Sequence, residues 1–317
     1  MGEGNIALVS ICYLSYIVVL TFIYSGVGGF GKMKVLQIPK ITQKQKEILD
    51  LLYTHRFLNR IQIQTMLKHK DKKTINLWLK NLRDKDYIIW IYNKDHFADK
   101  TKPAIYYLGI NGIRHLQNIY SHPIEELRKR YREHQRSQTF INRCSLVADC
   151  CVNLEDAREE DNYPEPDIYY FYETEADYSG DSYYQFLSDS ELIHPQLCFS
   201  KDLHEGTSEP RVVESYLLEI FDVTLPRYRL RNRLKKYIEY LDEEMGEWET
   251  ETYGDPLPTV LLVCANLTDL IYAKRSTKGL IADIWDYEDK DRPHIRFTTT
   301  DKLKERGILT AEIWEEA

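Results

Sequence analysis

KKTINLWLKNLRD, residues 72–84, is the stretch on which the fold turns. Ile75, Leu79 and Leu82 recur at helical spacing and form one apolar face, with Trp78 flanking it. The other side carries Lys72, Lys73, Thr74, Asn76, Leu77 and Lys80. A helix with one greasy side and one cationic, hydrogen-bonding side has to pack inward and offer its lysines outward.

Working outward, Thr42 is an N-cap for a helix whose apolar face is Ile48, Leu49 and Leu52. Arg56-Phe57-Leu58 reads as a short extended piece. Asn59 caps a second helix, from Arg60 to Leu67, and the basic turn KHKDKKT leads into the third. After it, Tyr87–Tyr92 is a β-branched and aromatic strand, and Ala104–Leu108 is its partner. The loop between them, NKDHFADKTKP, carries Lys94, Lys100 and Lys102. Another helix starts at Asn111-Gly112. Three helices followed by a hairpin, with charge on helix three and on the loop, predict a winged helix-turn-helix over residues 36–120. Its expected partner is double-stranded DNA. Lys70, Lys72, Lys73, Lys80, Lys94, Lys100 and Lys102 would contact phosphates, while Thr74 and Asn76 would reach base edges. A winged helix used for protein contacts is the alternative.

Charge divides the chain. From Lys34 to Arg143 there are 23 Lys and Arg against 10 Asp and Glu, and from Cys144 to Ala317 there are 18 against 39. The net charge of −8 therefore conceals a basic module of +13 and an acidic one of −21. The six cysteines contain no Cys-x-x-Cys pair, and no His cluster has metal-ligand spacing. That points to a reducing compartment and to no zinc site. No glycine-rich phosphate loop is present, and no Ser-His-Asp or Cys-His arrangement can be argued from the spacing.

ILDLLYTHRFLNRIQIQTML (48–67), TINLWLKNLRDKDYI (74–88) and AIYYLGINGIRHL (104–116) together resemble the replication-relaxation family of plasmids and integrative elements. SYLLEIFDVT (215–224) followed by RLRNRLKKYIEYL (229–241) is similar to that family's acidic strand and the basic, tyrosine-bearing helix after it. PTVLLVC (258–264) and FTTTDKLKERGILTAEIW (297–314) also fit. The resemblance implies a DNA-binding protein acting in replication or mobilisation of an extrachromosomal element.

In the second half, EELRKRYREHQR (125–136) reads as a charged, solvated linking helix, and Phe140–Val152 as a buried one, so that residues 121–152 join the two parts. Residues 155–191 hold 13 acids, one base and seven tyrosines. They read as a strand near Ile168–Tyr172 and a loop; the sharper reading is an acidic brake that competes with DNA for the wing. Strands at 196–199, 215–222 and 259–265, with a helix at 229–241, complete a mixed α/β domain over 153–317. The overall expectation is α+β, with a sheet similar to that of PD-(D/E)xK nucleases.

The motif of those nucleases is degenerate. Gln196 stands where an Asp would hold a metal, after His194-Pro195, and Phe221 stands where a Lys would follow Glu219. Asp222 and a helix lysine, Lys235 or Lys236, are what remains of a possible site, and Glu219 is expected to pair with the basic helix. Catalysis is therefore not expected, and no cofactor is called for. A Mg²⁺-dependent nuclease and a transcription regulator remain the alternatives. The acidic half is expected to bind a protein partner or another copy of the chain.

Ile6–Phe30 is uncharged and long enough to cross a bilayer. It is either a span that leaves Lys32 and Lys34 on the cytoplasmic side, or a leader upstream of a native start at Met33. Both readings place the basic domain in the cytoplasm.

Overall fold

The computed structural model describes residues 38–92, 102–119, 124–159, 168–174, 193, 195–203, 212–251, 257–285 and 292–317. The whole hydrophobic N-terminal segment with Met33, the tip of the hairpin with Lys94 and Lys100, His194, and most of the acidic 155–191 stretch lie outside these residues.

Helix α1, Gln43–His55, opens with a capping box: Gln45 N–H donates to the Thr42 hydroxyl, and the Gln45 side chain accepts from Thr42 N–H. Strand β1 is Leu58–Asn59. Helix α2, Arg60–Met66, begins with a second capping box, formed by Asn59 and Gln62. Helix α3 runs Lys72–Asp84. Strands β2, Ile88–Ile91, and β3, Ile105–Leu108, pair antiparallel, and β1 adds to β3, giving the order β1-β3-β2. Helix α4, Ile110–Ile119, follows directly. Its first turn sits so close to β2 that a Cβ on Gly112 would lie 2.3 Å from the Tyr87 carbonyl oxygen, so only glycine fits there. Ile48, Leu49, Leu52, Ile63, Ile75, Leu79 and Leu82 are all buried, which fixes the three helices around one core. This is the winged-helix order of elements.

The 125–136 run is not one solvated helix. Helix α5, Ile124–Arg130, stops, and a 3₁₀ turn, Glu133–Gln135, follows. The break drives Glu133 into the interior, where it is 1% exposed. Periodicity gave no sign of this, because it is an electrostatic preference for the arginines already there.

Helix α6, Gln138–Glu159, serves two cores. Ile141 packs with Phe57 and Tyr107 of the winged helix. One turn and more further on, Leu146, Cys150, Cys151 and Leu154 pack on the large sheet. Gln62 of α2 also donates to the Ser145 carbonyl (2.9 Å) and to Asp149 (2.6 Å). Lys40–Ala317 is accordingly one compact unit.

The large sheet has six strands in sequence order: β4 (Ile168–Thr174), β5 (Leu197–Leu203), β6 (Val212–Ile220), β7 (Thr259–Cys264), β8 (Ile295–Thr299) and β9 (Glu315–Glu316). The β6-β7 and β7-β8 pairs are parallel and the others antiparallel. Helices α7, Arg227–Glu251, and α8, Leu267–Ile284, make the two crossovers. They cover one face with Leu234, Tyr237, Leu241, Leu270, Ala273 and Leu280. The other face is covered by α6 and by α9, Thr300–Arg306. β7 alternates between these two cores, Leu262 to one and Leu261 and Val263 to the other, so TVLLVC is apolar throughout.

Candidate nucleic-acid interface

Asp71 organises the start of α3. Its carboxylate accepts from Lys73 N–H at 2.9 Å, Thr74 N–H at 3.0 Å and the Thr74 hydroxyl at 2.5 Å. These bonds hold the Asp71 carboxyl below its usual pKa, with the Thr74 hydroxyl the largest cause. His69 tightens the preceding turn: its Nδ1 accepts from Asp71 N–H, and its ring meets Trp78 edge-on at 5.0 Å. Thr74 thus spends its hydroxyl proton on the cap and keeps only acceptor capacity.

Lys72, Lys73, Asn76, Leu77 and Lys80 are exposed, opposite Ile75, Leu79 and Leu82. Residues 73, 76, 77 and 80 share one stripe of the helix. Lys72, Lys73 and Lys80 enter no ion pair among the described residues. Leu77 is 64% exposed, an apolar tip among cations. Lys70 and Lys102 are exposed as well.

Sequence reasoning left out an aromatic and arginine group on the hairpin side. The Arg83 guanidinium lies 4.1 Å from the Trp90 ring centre. Trp90 stacks on Tyr92 at 5.6 Å and is 39% exposed. Arg60 and Arg83 both face Tyr106, whose hydroxyl burial pushes up in pKa against their opposing effect. An unburied tryptophan on the strand next to the cationic helix was the available signal.

The residues of the degenerate metal motif do not converge. The Gln196 side chain accepts from Ile220 N–H at 2.6 Å and so fastens to β6. Glu219 is buried and paired with Arg233, one helical turn before Tyr237, rather than with Lys235 or Lys236. Burial raises the Glu219 pKa, against the opposing charge of Arg233. Asp222 caps the turn at Thr224, 2.8 Å from its N–H, and lies 3.8 Å from Arg143. Lys235 turns to Glu239 at 2.6 Å. Among the described residues, no group of three or more His, Cys, Asp or Glu could hold a metal ion. No helix of the described residues is long and apolar enough to cross a membrane.

The fold and this surface define a winged helix joined through a shared helix to a three-layer α/β unit. A model of the replication-relaxation family matches residues 49–252, more than half the chain, and the protein belongs to that family. No curated protein matches at a significant level. Among solved structures, the chain is similar to Lactococcus lactis ZitR in complex with DNA, at 14% identity over 49% of this chain and 99% of that one, with a TM-score of 0.23. The protein RV1404 of Mycobacterium tuberculosis matches at 14% identity over 51% and 99%, with a TM-score of 0.23. The G34K mutant of S. aureus MepR matches at 23% identity over 37% and 80%, with a TM-score of 0.22.

Proposed function

We propose that this protein binds double-stranded DNA through α3 and acts, in the cytoplasm, in the replication or mobilisation of a plasmid or integrative element. The observation that carries the reading is the cationic stripe of Lys72, Lys73 and Lys80, without an ion pair among the described residues and fixed in place by the buried Ile75, Leu79 and Leu82. Lysines at that spacing reach phosphates on either side of a major groove. Asn76 is the base reader, and Leu77 offers apolar contact to a thymine methyl. Thr74 is a weaker reader than Asn76, because its proton is committed to Asp71. Family membership supports the link to replication. Lys94, Lys100 and Lys102 of the wing lie along the backbone in this reading.

In this reading the large sheet carries no catalytic role. Its acidic and amide side chains are tied to the backbone and to arginines. Its outer surface is the place for a protein partner or a second copy.

Fluorescence anisotropy with duplex DNA at several salt concentrations tests the proposal. Each phosphate contact adds about 0.9 to the log-log salt slope, so Lys72→Ala/Lys73→Ala/Lys80→Ala should flatten it by about 2 to 3. A parent protein that binds no duplex at low salt, or a variant with an unchanged slope, refutes the role of α3.

A further inference from the structure

A second cationic place lies away from α3 and the wing. A cavity of about 50 Å³ opens between the end of α1, α5, α6 and the sheet. Arg56, Lys129, Arg130 and Arg143 line it with Phe140, His55 and Gln196, and none of its described lining residues is a carboxylate.

The arginines are held there by design of the backbone. Arg56 ends α1 at φ 66°, a left-handed conformation that is costly for a residue with a Cβ. That geometry sends its guanidinium to Glu133, at 2.8 and 3.2 Å. Arg130 and Arg136 reach the same carboxylate at 3.7 and 3.4 Å. One buried carboxylate therefore answers three guanidiniums. Arg56, Arg136 and Arg143 also stand 4.5, 4.9 and 5.0 Å from the Phe140 ring centre. Arg143 has Asp222 at 3.8 Å as well, and the ring quadrupole softens the crowding of the guanidiniums without neutralising it.

His55 is the second, independent observation. It is 7% exposed, lines the cavity, and its Nδ1 has no hydrogen-bond partner among the described residues. A buried polar atom without a partner is costly.

We propose that this cavity is a phosphoryl-anion site, its occupant gripped by Arg56 and Arg143 with Lys129 at the rim. Arginine forks match phosphate oxygens in pairs. The space takes a few waters or one tetrahedral oxyanion, not a nucleoside, so any sugar or base stays outside. The phosphate comes either from a DNA backbone or from a free phosphate or mononucleotide. Because α1, α5, α6 and the sheet all border the cavity, an occupant ties the winged helix to the sheet. The proposal does not rest on the reading of α3.

The test uses the full chain and the variants Arg143→Gln, Lys129→Gln and Arg143→Lys, whose altered side chains are half-buried or exposed and so leave the core intact. Calorimetric titration with inorganic phosphate and with thymidine monophosphate is set beside DNA anisotropy. If the source is free, the parent binds phosphate or the nucleotide, Arg143→Gln weakens it at least tenfold, and Arg143→Lys recovers part. If the source is DNA, neither small anion binds, and Arg143→Gln/Lys129→Gln lowers the salt slope by about 1 to 2. The Lys72→Ala/Lys73→Ala/Lys80→Ala protein should keep the small-anion affinity unchanged, which separates this site from α3. Small-anion binding that is equal in parent and Arg143→Gln overturns the proposal. So does its absence together with an unaltered salt slope.

Discussion

The lysines of α3 and the arginines around Glu133 come from one basic stretch of sequence, and they do opposite things. Lys72, Lys73 and Lys80 stand in solvent with no ion pair among the described residues. Arg56 and Arg130 have side chains 12% and 3% exposed and converge on a carboxylate with no exposure. The difference follows from chemistry as well as from place. A guanidinium is weakly hydrated and planar, so it tolerates burial against a carboxylate and an aromatic ring; an ammonium keeps its water. A count of positive charge treats the two groups alike. The first is suited to a polyanion outside, and the second chiefly holds the molecule together.

The largest effect should come from the buried group. Glu133→Ala leaves three guanidiniums facing one another, and a loss of about 3–5 kcal/mol is expected in urea denaturation. Glu133→Gln should lose less, because the amide oxygen still accepts. A loss below about 1 kcal/mol for the alanine variant would mean that the arginines relax into water and that the comparison is false.

Two neighbours on α3 sharpen it next. Leu79→Ala empties a site that is 1% exposed and should cost about 2–5 kcal/mol. Lys80→Ala should leave stability within about 0.5 kcal/mol and act on DNA affinity instead. Equal destabilisation by both would show that Lys80 belongs to the fold rather than to the interface.

Glu219 and Arg233 lie between these extremes, the acid buried and the arginine 43% exposed. Burial raises the folded pKa of Glu219 above its ordinary 4.5. Its contribution to stability is thus greatest below that ordinary value and is lost as pH rises through the folded pKa. Arg233 is the largest opposing cause. Its removal should cost about 1–2 kcal/mol where the carboxyl is ionised, and less as pH falls through the raised pKa and the carboxyl takes up a proton. A cost that is flat with pH would mean that no titration of Glu219 is coupled to Arg233 over that range. The smallest effect belongs to Lys235. Its pair with Glu239 is solvent-exposed, so Lys235→Ala should change stability by about 0.5 kcal/mol or less.

The N-terminal elements were legible because their causes are local. Thr42 and Asn59 stand three residues before Gln45 and Gln62, and each glutamine closes a capping box. The Ile75, Leu79 and Leu82 spacing gives α3 from end to end. Helix α8 was missed because its buried face uses Ala273 and Thr277, too small or too polar to show as an apolar stripe. Residues 125–136 were misread as one solvated helix, since a charge run carries no mark of which member turns inward. The pairing of Glu219 with a basic helix was foreseen, but the partner is Arg233 and not a lysine. The helix rotation that decides this depends on how Leu230, Leu234 and Tyr237 seat on the sheet.

By itself the sequence determined the three helices, the hairpin, the apolar run of β7 and the cationic side of α3. Capping, periodicity and β-branching act within a few residues, so they can be read along the chain. Only the tertiary structure decided that α6 is shared by both cores, and that the order of strands brings Gln196 beside β6. It alone drew Arg56, Arg130, Arg136 and Arg143, up to 87 residues apart in sequence, around one ring and one carboxylate. Burial of charge depends on what the rest of the chain places nearby, and no local pattern encodes that.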